Sequence, residues 1–195
     1  MLSGNRFILG IGAGWRGDEY TAYGYDFPKP SVRFGQLDEV IDICRLMWTE
    51  EAPSYDGEHF QIAEASAPPL PAVSPPICIG ASGEKVGLPL VGRQADMWNS
   101  SVKGGDEAEQ QQNWERKWGI VAEAAADASR DPGSIIQCTT IEKPLPESDE
   151  DSEKLVELLQ RFRGLGISYF VMDFGNPRDT EPIERFAEQV IANIS

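Results

Sequence analysis

The decamer Arg6-Phe7-Ile8-Leu9-Gly10-Ile11-Gly12-Ala13-Gly14-Trp15 decides the fold, because an apolar run leads here directly into a glycine-rich turn. Residues 6–12 lack the in-and-out alternation of a half-exposed strand. Continuous apolar strands of this kind are typical of parallel sheets that are covered on both faces. We therefore predict a buried parallel strand over residues 6–12, followed by a tight loop.

Four further strands are predicted along the chain, near residues 77–80, 95–99, 134–141 and 167–174, and helical patterns alternate with them. Such alternation indicates a parallel α/β architecture. An open doubly wound sheet and a (β/α) barrel both fit the pattern. A complete barrel needs eight strands and about 250 residues. Five βα units in 195 residues would be three units short of one.

The length of 195 residues predicts one domain over residues 1–195, interrupted by an excursion at about residues 51–76. That excursion begins with a predicted hairpin over residues 54–62 and continues through a segment rich in proline. Proline at this density excludes both a helix and a central strand. We expect an ordered excursion or a lid rather than a flexible linker.

The formal net charge of −15 argues against a nucleic-acid or anionic-membrane partner, because such partners are held by cationic clusters. No apolar run is long enough to suggest a membrane-spanning helix. Three widely spaced cysteines and the lack of an export signal indicate reduced thiols and a cytoplasmic location. The sole histidine, His59, has no neighbours in the sequence pattern that predict a metal site or a nucleophilic triad.

Several motifs follow one another in order over residues 2–100. They are Leu2-Ser3-Gly4-Asn5-Arg6-Phe7-Ile8-Leu9-Gly10-Ile11-Gly12-Ala13-Gly14-Trp15, Tyr55-Asp56-Gly57-Glu58-His59-Phe60, Pro75-Pro76-Ile77-Cys78-Ile79-Gly80-Ala81-Ser82-Gly83 and Ala95-Asp96-Met97-Trp98-Asn99. Together they resemble the bacterial-luciferase-like, flavin- or deazaflavin-dependent oxidoreductases. Beyond residue 100 the resemblance rests on the order of elements alone.

The resemblance implies a (β/α)₈ (TIM) barrel in which the strand at residues 7–15 is the fourth. The chain would then be a partial barrel, a C-terminal portion with five of eight units. The implied activity is hydride transfer between the deazaflavin coenzyme F420 and a small-molecule substrate. An FMN-dependent monooxygenase is the alternative. In such barrels, function collects in the loops after the strands.

Two glycine-rich loops and the end of a third strand are the candidate cofactor site. Glycine permits close backbone approach, and N–H groups before a helix attract phosphate, with the Ser82 hydroxyl as a further donor. Pro89 suits a helix that begins near residues 86–88. Tight turns and core packing are the structural alternatives. The candidates are Gly12, Gly14, Trp15, Gly80, Ala81, Ser82, Gly83, Trp98 and Asn99.

No acid/base pair stands out in the sequence, so no catalytic residue is assigned and no metal site is predicted. Two further hypotheses remain open. Five units leave two exposed strand edges, which favours a homo-oligomer or a non-catalytic remnant that associates with another chain. The third hypothesis is an unrelated open α/β module that binds phosphate.

Overall fold

The structure is a computed structural model that describes residues 3–174 and 180–194. Helices separate the five strands of the main sheet along these residues, and a two-stranded hairpin lies between α2 and β4. In chain order they are β1 (Leu9–Ile11), α1 (Gly17–Ala22), α2 (Pro30–Thr49), β2 (Tyr55–Asp56), β3 (Gln61–Ile62), β4 (Ile77–Gly80), α3 (Gly87–Gln94), β5 (Met97–Asn99), α4 (Glu107–Asp127), β6 (Ile136–Ile141), α5 (Asp149–Gly164), β7 (Tyr169–Met172) and α6 (Glu181–Arg185).

The main sheet has five strands in the order β1-β4-β5-β6-β7. β1 pairs in parallel with β4, with Leu9 opposite Ile77, and β6 pairs in parallel with β7, with Cys138 opposite Tyr169. Helices follow the strands in sequence, as parallel pairing requires. The predicted parallel α/β fold with five βα units is therefore confirmed.

The first strand is shorter than the predicted 6–12. Gly4 and Asn5 both have positive φ, and the Arg6 N–H donates to the Ser3 carbonyl, so residues 3–6 form a turn. Pairing starts only at Leu9, whose N–H donates to the Pro76 carbonyl. The apolar run therefore begins before the strand does: among the described residues, Phe7 and Ile8 belong to the run but do not pair with β4.

The described residues divide into two compact units, one of residues 1–98 and 117–135 and the other of residues 99–116 and 136–195. The prediction of a single domain stays a prediction. Among the described residues, no helix is both long and apolar enough to cross a membrane.

The first unit has its core between β4, α2, α3 and the second half of α4. Fully buried side chains from β4 and α3 form it together with Ile41 of α2. Gly92 lets α3 approach α4 closely, since a Cβ there would lie 2.4 Å from the Val121 carbonyl oxygen. The Arg130 guanidinium stabilises the C-terminal end of α3 by donating hydrogen bonds to the Gly92 and Ala95 carbonyls at 2.7 and 2.6 Å.

The excursion at residues 51–76 contains the predicted hairpin, in which β2 and β3 pair antiparallel. One carboxylate, that of Glu39 on α2, accepts hydrogen bonds from the N–H groups of Glu58, His59 and Phe60 at the turn. Desolvation raises the pKa of Glu39, but these N–H groups outweigh it, and the pKa lies below its ordinary 4.5. The carboxylate therefore anchors the hairpin to α2.

The second unit is built on β6, β7 and α5. Ser148 caps α5, its hydroxyl accepting from the Asp151 N–H at 3.1 Å, and three acidic residues follow in the first turn. Gln137 on β6 accepts a hydrogen bond from the buried Trp114 indole at 2.8 Å. The last helical segment is only partly regular, because α6 gives way after Arg185 to a π turn, and Val190 at the end of that turn is buried.

Two helical glycines in the first unit provide a matched stability test. Gly92→Ala forces a Cβ against the backbone of α4, and we expect a loss of about 1–3 kcal/mol or more. Gly119→Ala, where a Cβ would meet nothing within 4 Å, should gain about 0.5–1 kcal/mol through helix propensity. Urea denaturation of both variants checks the pair. Equal effects at the two positions would contradict the packing of α3 on α4.

The Glu39 anchor predicts an acid-sensitive hairpin. The pKa of Glu39 is lower in the folded chain than in the unfolded chain. The ionised carboxylate therefore stabilises the hairpin fully at pH values above its unfolded pKa, and this stabilisation is lost as the pH falls through its folded pKa. We expect the amides of residues 58–60 to lose hydrogen-exchange protection at acidic pH in the unmodified chain. Glu39→Gln should lose protection already at neutral pH, whereas substitution of the exposed Glu51 by Gln should have no effect. Protection that is insensitive to both pH and Glu39→Gln would refute the anchor.

Candidate functional site

The two predicted glycine loops lie side by side in the first unit. β1 and β4 run parallel with Ile11 opposite Ile79, so both loops leave the same edge of the sheet. A Cβ on Gly12 would lie 3.3 Å from the Gly80 carbonyl oxygen, which brings the two backbones into contact. A side chain at Gly12 would require the Gly80 backbone to move by a few tenths of an ångström, so glycine favours this close approach. The structure therefore brings together loop 1 (residues 12–15) and loop 2 (residues 80–83).

Loop 1 turns sharply at Gly14, whose φ of +74° favours glycine. A Cβ at this position would also lie 2.6 Å from the Tyr20 hydroxyl oxygen. Beyond the turn, the Trp15 side chain is 84% exposed. Trp15 is thus presented to solvent next to the glycine backbone, with the Arg16 guanidinium 5.7 Å from the centroid of its ring.

Arg33 of α2 holds loop 1 in place, and the sequence analysis missed this role. Its Nε donates to the Ala13 carbonyl at 3.0 Å, and its Nη1 donates to the Pro28 carbonyl. The guanidinium also lies over the Phe27 ring, 3.8 Å from the ring centroid. No sequence pattern links Arg33 to Ala13, because the two residues meet only through the packing of α2.

A short helix follows loop 1 where the sequence analysis expected a loop. This is α1, with Asp18 and Glu19 in its first turn, where acidic side chains complement the helix dipole. Arg16 forms exposed ion pairs with both carboxylates, and its guanidinium lowers the pKa of Asp18. Tyr20 packs its ring 4.9 Å from that of Phe27. The helix is what brings Tyr20 under Gly14.

Loop 2 exposes its middle and fixes its ends. Ser82 and Gly83 are exposed, and a Cβ on Gly83 would meet nothing within 4 Å, so the space beside it is open. The Ala81 carbonyl accepts from the Trp98 indole N–H at 2.9 Å, and the Gly83 carbonyl accepts from the Leu88 N–H at 2.9 Å. These two hydrogen bonds therefore hold the exposed backbone of Ser82 and Gly83, and the Ser82 hydroxyl, in place.

The helix after loop 2 starts where Pro89 predicts. α3 begins at Gly87 rather than Glu84, which places Pro89 in the first turn, where its missing N–H costs nothing. Lys85 lies exposed in the connecting turn. The donors available to an anion are therefore those of loop 2 and this turn, not those of a helix beginning at residue 84.

Trp98 and Asn99, the remaining candidates, have different surroundings. Trp98 is fully buried in the first unit and stacks on Trp118 with ring centroids 6.1 Å apart. Its observed role is core packing and support of Ala81, the structural alternative stated above. Asn99 belongs to the second unit, where its Nδ2 lies 3.4 Å from the Thr140 hydroxyl oxygen. Cofactor contact by either residue stays a prediction.

The family model described as luciferase-like monooxygenase matches residues 1–189. The chain belongs to the luciferase-like monooxygenase family. An uncharacterized protein of Mycobacterium tuberculosis is 28% identical over 197 residues, covering 100% of this chain and 61% of that relative. The chain therefore spans about three fifths of the length of that relative.

Two further relatives of this luciferase-like chain carry functional names. The F420-dependent glucose-6-phosphate dehydrogenase of Kineococcus radiotolerans is 35% identical over 95 residues, covering 49% of this chain and 28% of the relative. The solved structure of an F420-dependent secondary alcohol dehydrogenase, in complex with an F420-acetone adduct, superposes with a TM-score of 0.81 at 18% identity. It covers 100% of this chain and 71% of that protein. At this identity, the structural likeness shows the barrel-type fold alone.

Arg33 provides the test of loop 1. Arg33→Gln removes a charged donor from two carbonyls, and we expect it to cost about 1–3 kcal/mol of unfolding free energy. It should also increase amide exchange at residues 13–15. Arg93→Gln is the matched control, since Arg93 only forms a partly exposed ion pair with Asp38 at 2.8 Å, which is worth about 0–1 kcal/mol. Denaturation and hydrogen exchange measure both effects. Unchanged exchange at residues 13–15 in Arg33→Gln would show that Arg33 does not hold the loop.

Proposed function

We propose that this chain carries part of the cofactor surface of an F420-dependent, luciferase-like oxidoreductase that transfers hydride to or from a small-molecule substrate. The observation that supports it most is the contact between Gly12 and Gly80 beside the exposed Ser82 and Gly83. Two glycine backbones at one sheet edge leave room for a flat or phosphate-bearing ligand. Family membership supports an oxidoreductase, and the F420-dependent dehydrogenase among the relatives supports hydride transfer as its reaction.

The residues of the two loops fit such a group. The open space beside Gly83 admits a phosphate, and the Ser82 hydroxyl and neighbouring N–H groups would hold it. Gly12, Gly14 and Trp15 would lie against the rest of the cofactor, with Ala81 kept in place by Trp98. When bound, the deazaflavin ring supplies the hydride chemistry, and the protein supplies position. The chain's own contribution is to hold the phosphate side.

F420 is preferred to FMN because the sequence relatives with functional names include F420-dependent dehydrogenases, and because the solved structures that superpose with TM-scores of 0.81 and 0.75 are F420-dependent enzymes. A monooxygenase and a riboflavin lyase with modified FMN are also similar in fold, with TM-scores of 0.70 and 0.64. The alternative is an FMN-dependent monooxygenase, which the description of the family itself supports. Asn99 remains a proposed contact to the cofactor ring. A cytoplasmic location is part of the proposal and is supported by Cys44, Cys78 and Cys138, which form no disulfide among the described residues.

A non-catalytic role through association is the second candidate. β1 and β7 are the outermost strands of the five-stranded sheet, and the Tyr169 and Val171 side chains on β7 are 41% and 42% exposed. Unpaired strand edges favour pairing with a second copy or another chain. Sedimentation over a range of concentrations tests this role, and a chain that stays monomeric at high concentration would refute it.

Gly83→Leu tests the cofactor proposal sterically. The open space beside Gly83 should let the variant fold, while the leucine side chain blocks the cofactor, and we expect F420 binding to weaken at least about tenfold. Ser82→Ala should weaken binding by about tenfold through loss of a hydrogen bond to a charged phosphate. Quenching of F420 fluorescence measures both affinities, and thermal unfolding checks the fold.

Gly119→Leu is the matched control, because its Cβ also points into open space. It should bind F420 like the unmodified chain. An absence of F420 quenching at high micromolar concentration would overturn the F420 proposal, and binding of FMN alone would favour the monooxygenase alternative. Equal affinity of Gly83→Leu and the unmodified chain would show that loop 2 does not bind the cofactor.

A further inference from the structure

We propose that Phe34 of α2 is a positioning residue, which supports the base of loop 2 (Ala81 and Gly87) and, together with Arg33, fixes loop 2 relative to loop 1. The inference rests on the proposed function, because its effect on binding presupposes that both loops contact one cofactor. The packing that carries it can be tested without a ligand. All the residues concerned lie in the first unit.

Loop 2 and the turn that follows it leave the core and return to it at nearly the same point. Ala81 and Gly87 are buried, whereas residues 82–86 between them are exposed. The two buried residues are close together, since a Cβ on Gly87 would lie 3.2 Å from the Ala81 Cβ. The Leu88 N–H donates to the Gly83 carbonyl at 2.9 Å and closes the segment. Ala81 and Gly87 therefore form the base of the exposed segment.

The Phe34 ring packs on this base from the side of α2. The same Cβ on Gly87 would lie 3.0 Å from the Phe34 Cζ and 3.3 Å from one Phe34 Cε. The phenyl ring thus occupies the space that a side chain at residue 87 would need, next to Ala81. This contact buries apolar surface at the point where loop 2 joins the core, and such burial is favourable.

Phe34 is adjacent in sequence to Arg33, which holds loop 1. The Arg33 Nε donates to the Ala13 carbonyl at 3.0 Å, so two consecutive residues of α2 contact the two loops. Successive side chains of an α-helix point about 100° apart, and the backbone between them is fixed by helical hydrogen bonds. α2 is therefore a rigid spacer between Ala13 of loop 1 and Ala81 of loop 2.

α2 is also bound to α3 at a point away from the loops. The Gln94 Nε2 donates to the Asp38 Oδ1 at 3.0 Å and to the Asp42 Oδ1 at 2.9 Å. Gln94 is the last residue of α3, whereas Gly87 is the first. A smaller side chain in place of Phe34 therefore leaves the two helices joined and alters mainly the contact beside loop 2.

The spacing of the two loops matters because one ligand has to contact both. Under the proposed function, loop 2 holds the phosphate while loop 1 lies against the rest of the cofactor. A loop that is not held in place has to be ordered by the ligand, which lowers the affinity. Phe34 thus influences binding through loop 2 and not through contact with the cofactor.

Phe34→Leu tests the support of loop 2 without a ligand. Leucine is apolar but lacks the ring atoms that reach Gly87, so we expect the base to loosen. Two N–H groups that donate to loop 2 carbonyls report on this change, the Leu88 amide and the Trp98 indole. Their hydrogen exchange, followed by NMR, should be at least about threefold faster in the variant. Exchange at residues 13–15 should stay the same.

The binding measurement uses the same substitution with a matched control. Phe34→Leu should lower the affinity for F420 by about tenfold in fluorescence quenching, at a temperature where the variant is folded. Phe162→Leu is the control, because Phe162 is a buried phenylalanine of α5 in the second unit. It should lower the thermal midpoint but leave the F420 affinity and the exchange of both N–H groups unchanged.

Gly87→Ala provides a rescue test that a general loss of stability would not pass. The added methyl group would meet the Phe34 ring at 3.0 Å, so the ring or loop 2 has to shift, and we expect weaker F420 binding. Combining Gly87→Ala with Phe34→Leu should restore binding toward that of the unmodified chain, because the shorter side chain makes room for the methyl group. Two losses that simply add in the double variant would overturn the proposal.

The proposal and the proposed function fail separately. Unchanged exchange of the Leu88 amide and the Trp98 indole in Phe34→Leu would overturn the role of Phe34, and so would equal F420 affinities of Phe34→Leu and Phe162→Leu. An unmodified chain that binds no F420 refutes the proposed function, and the exchange measurement then decides whether Phe34 supports loop 2. If Phe34→Leu does not fold, Phe34→Met, which also lacks the ring, replaces it in each comparison.

Discussion

The parallel register of β1 and β4 is the constraint on which the candidate site depends. With Ile11 opposite Ile79, the two strands end together, and the glycines that follow meet at one edge. An antiparallel pairing, or a register shifted by a few residues, would separate the loops by the length of a strand. The apolar contacts that fix this register, from Ile77 and Ile79 into the core, therefore fix the site as well.

The site is made mainly of backbone, and its rigidity comes from side chains that lie behind it. Arg33 binds the carbonyl of Ala13, and the Trp98 indole binds that of Ala81, so each loop has one buried or half-buried side chain as its support. Fixed main-chain donors need no rearrangement when an anion arrives, which lowers the cost of binding. Both supports come from elements other than the loop that they hold.

The sequence predicts the local features of this chain better than the long-range ones. The apolar strand at residues 77–80, the proline-defined start of α3 and the Ser148 cap are encoded by neighbouring residues, and all three are observed. Arg33 and Glu39 show the limit, since their partners lie about twenty residues away. A surface arginine and a loop-anchoring arginine look alike until α2 is packed. The role of Trp98 is ambiguous in the sequence for the same reason, because an indole near the end of a strand can either pack in the core or contact a ligand.

Backbone donors also limit what the two loops can recognise. N–H groups and one hydroxyl bind a phosphate whatever ring it carries, so loop 2 offers no means of telling one phosphate-bearing cofactor from another. Discrimination between cofactor ring systems requires side chains that face the cofactor ring. Trp98, the aromatic candidate near loop 2, is instead buried against Trp118. Under the proposed function, the choice between F420 and FMN would therefore come from side chains outside loop 2. Trp15 is the candidate within the first unit, because it is aromatic, exposed and adjacent to the glycine backbone.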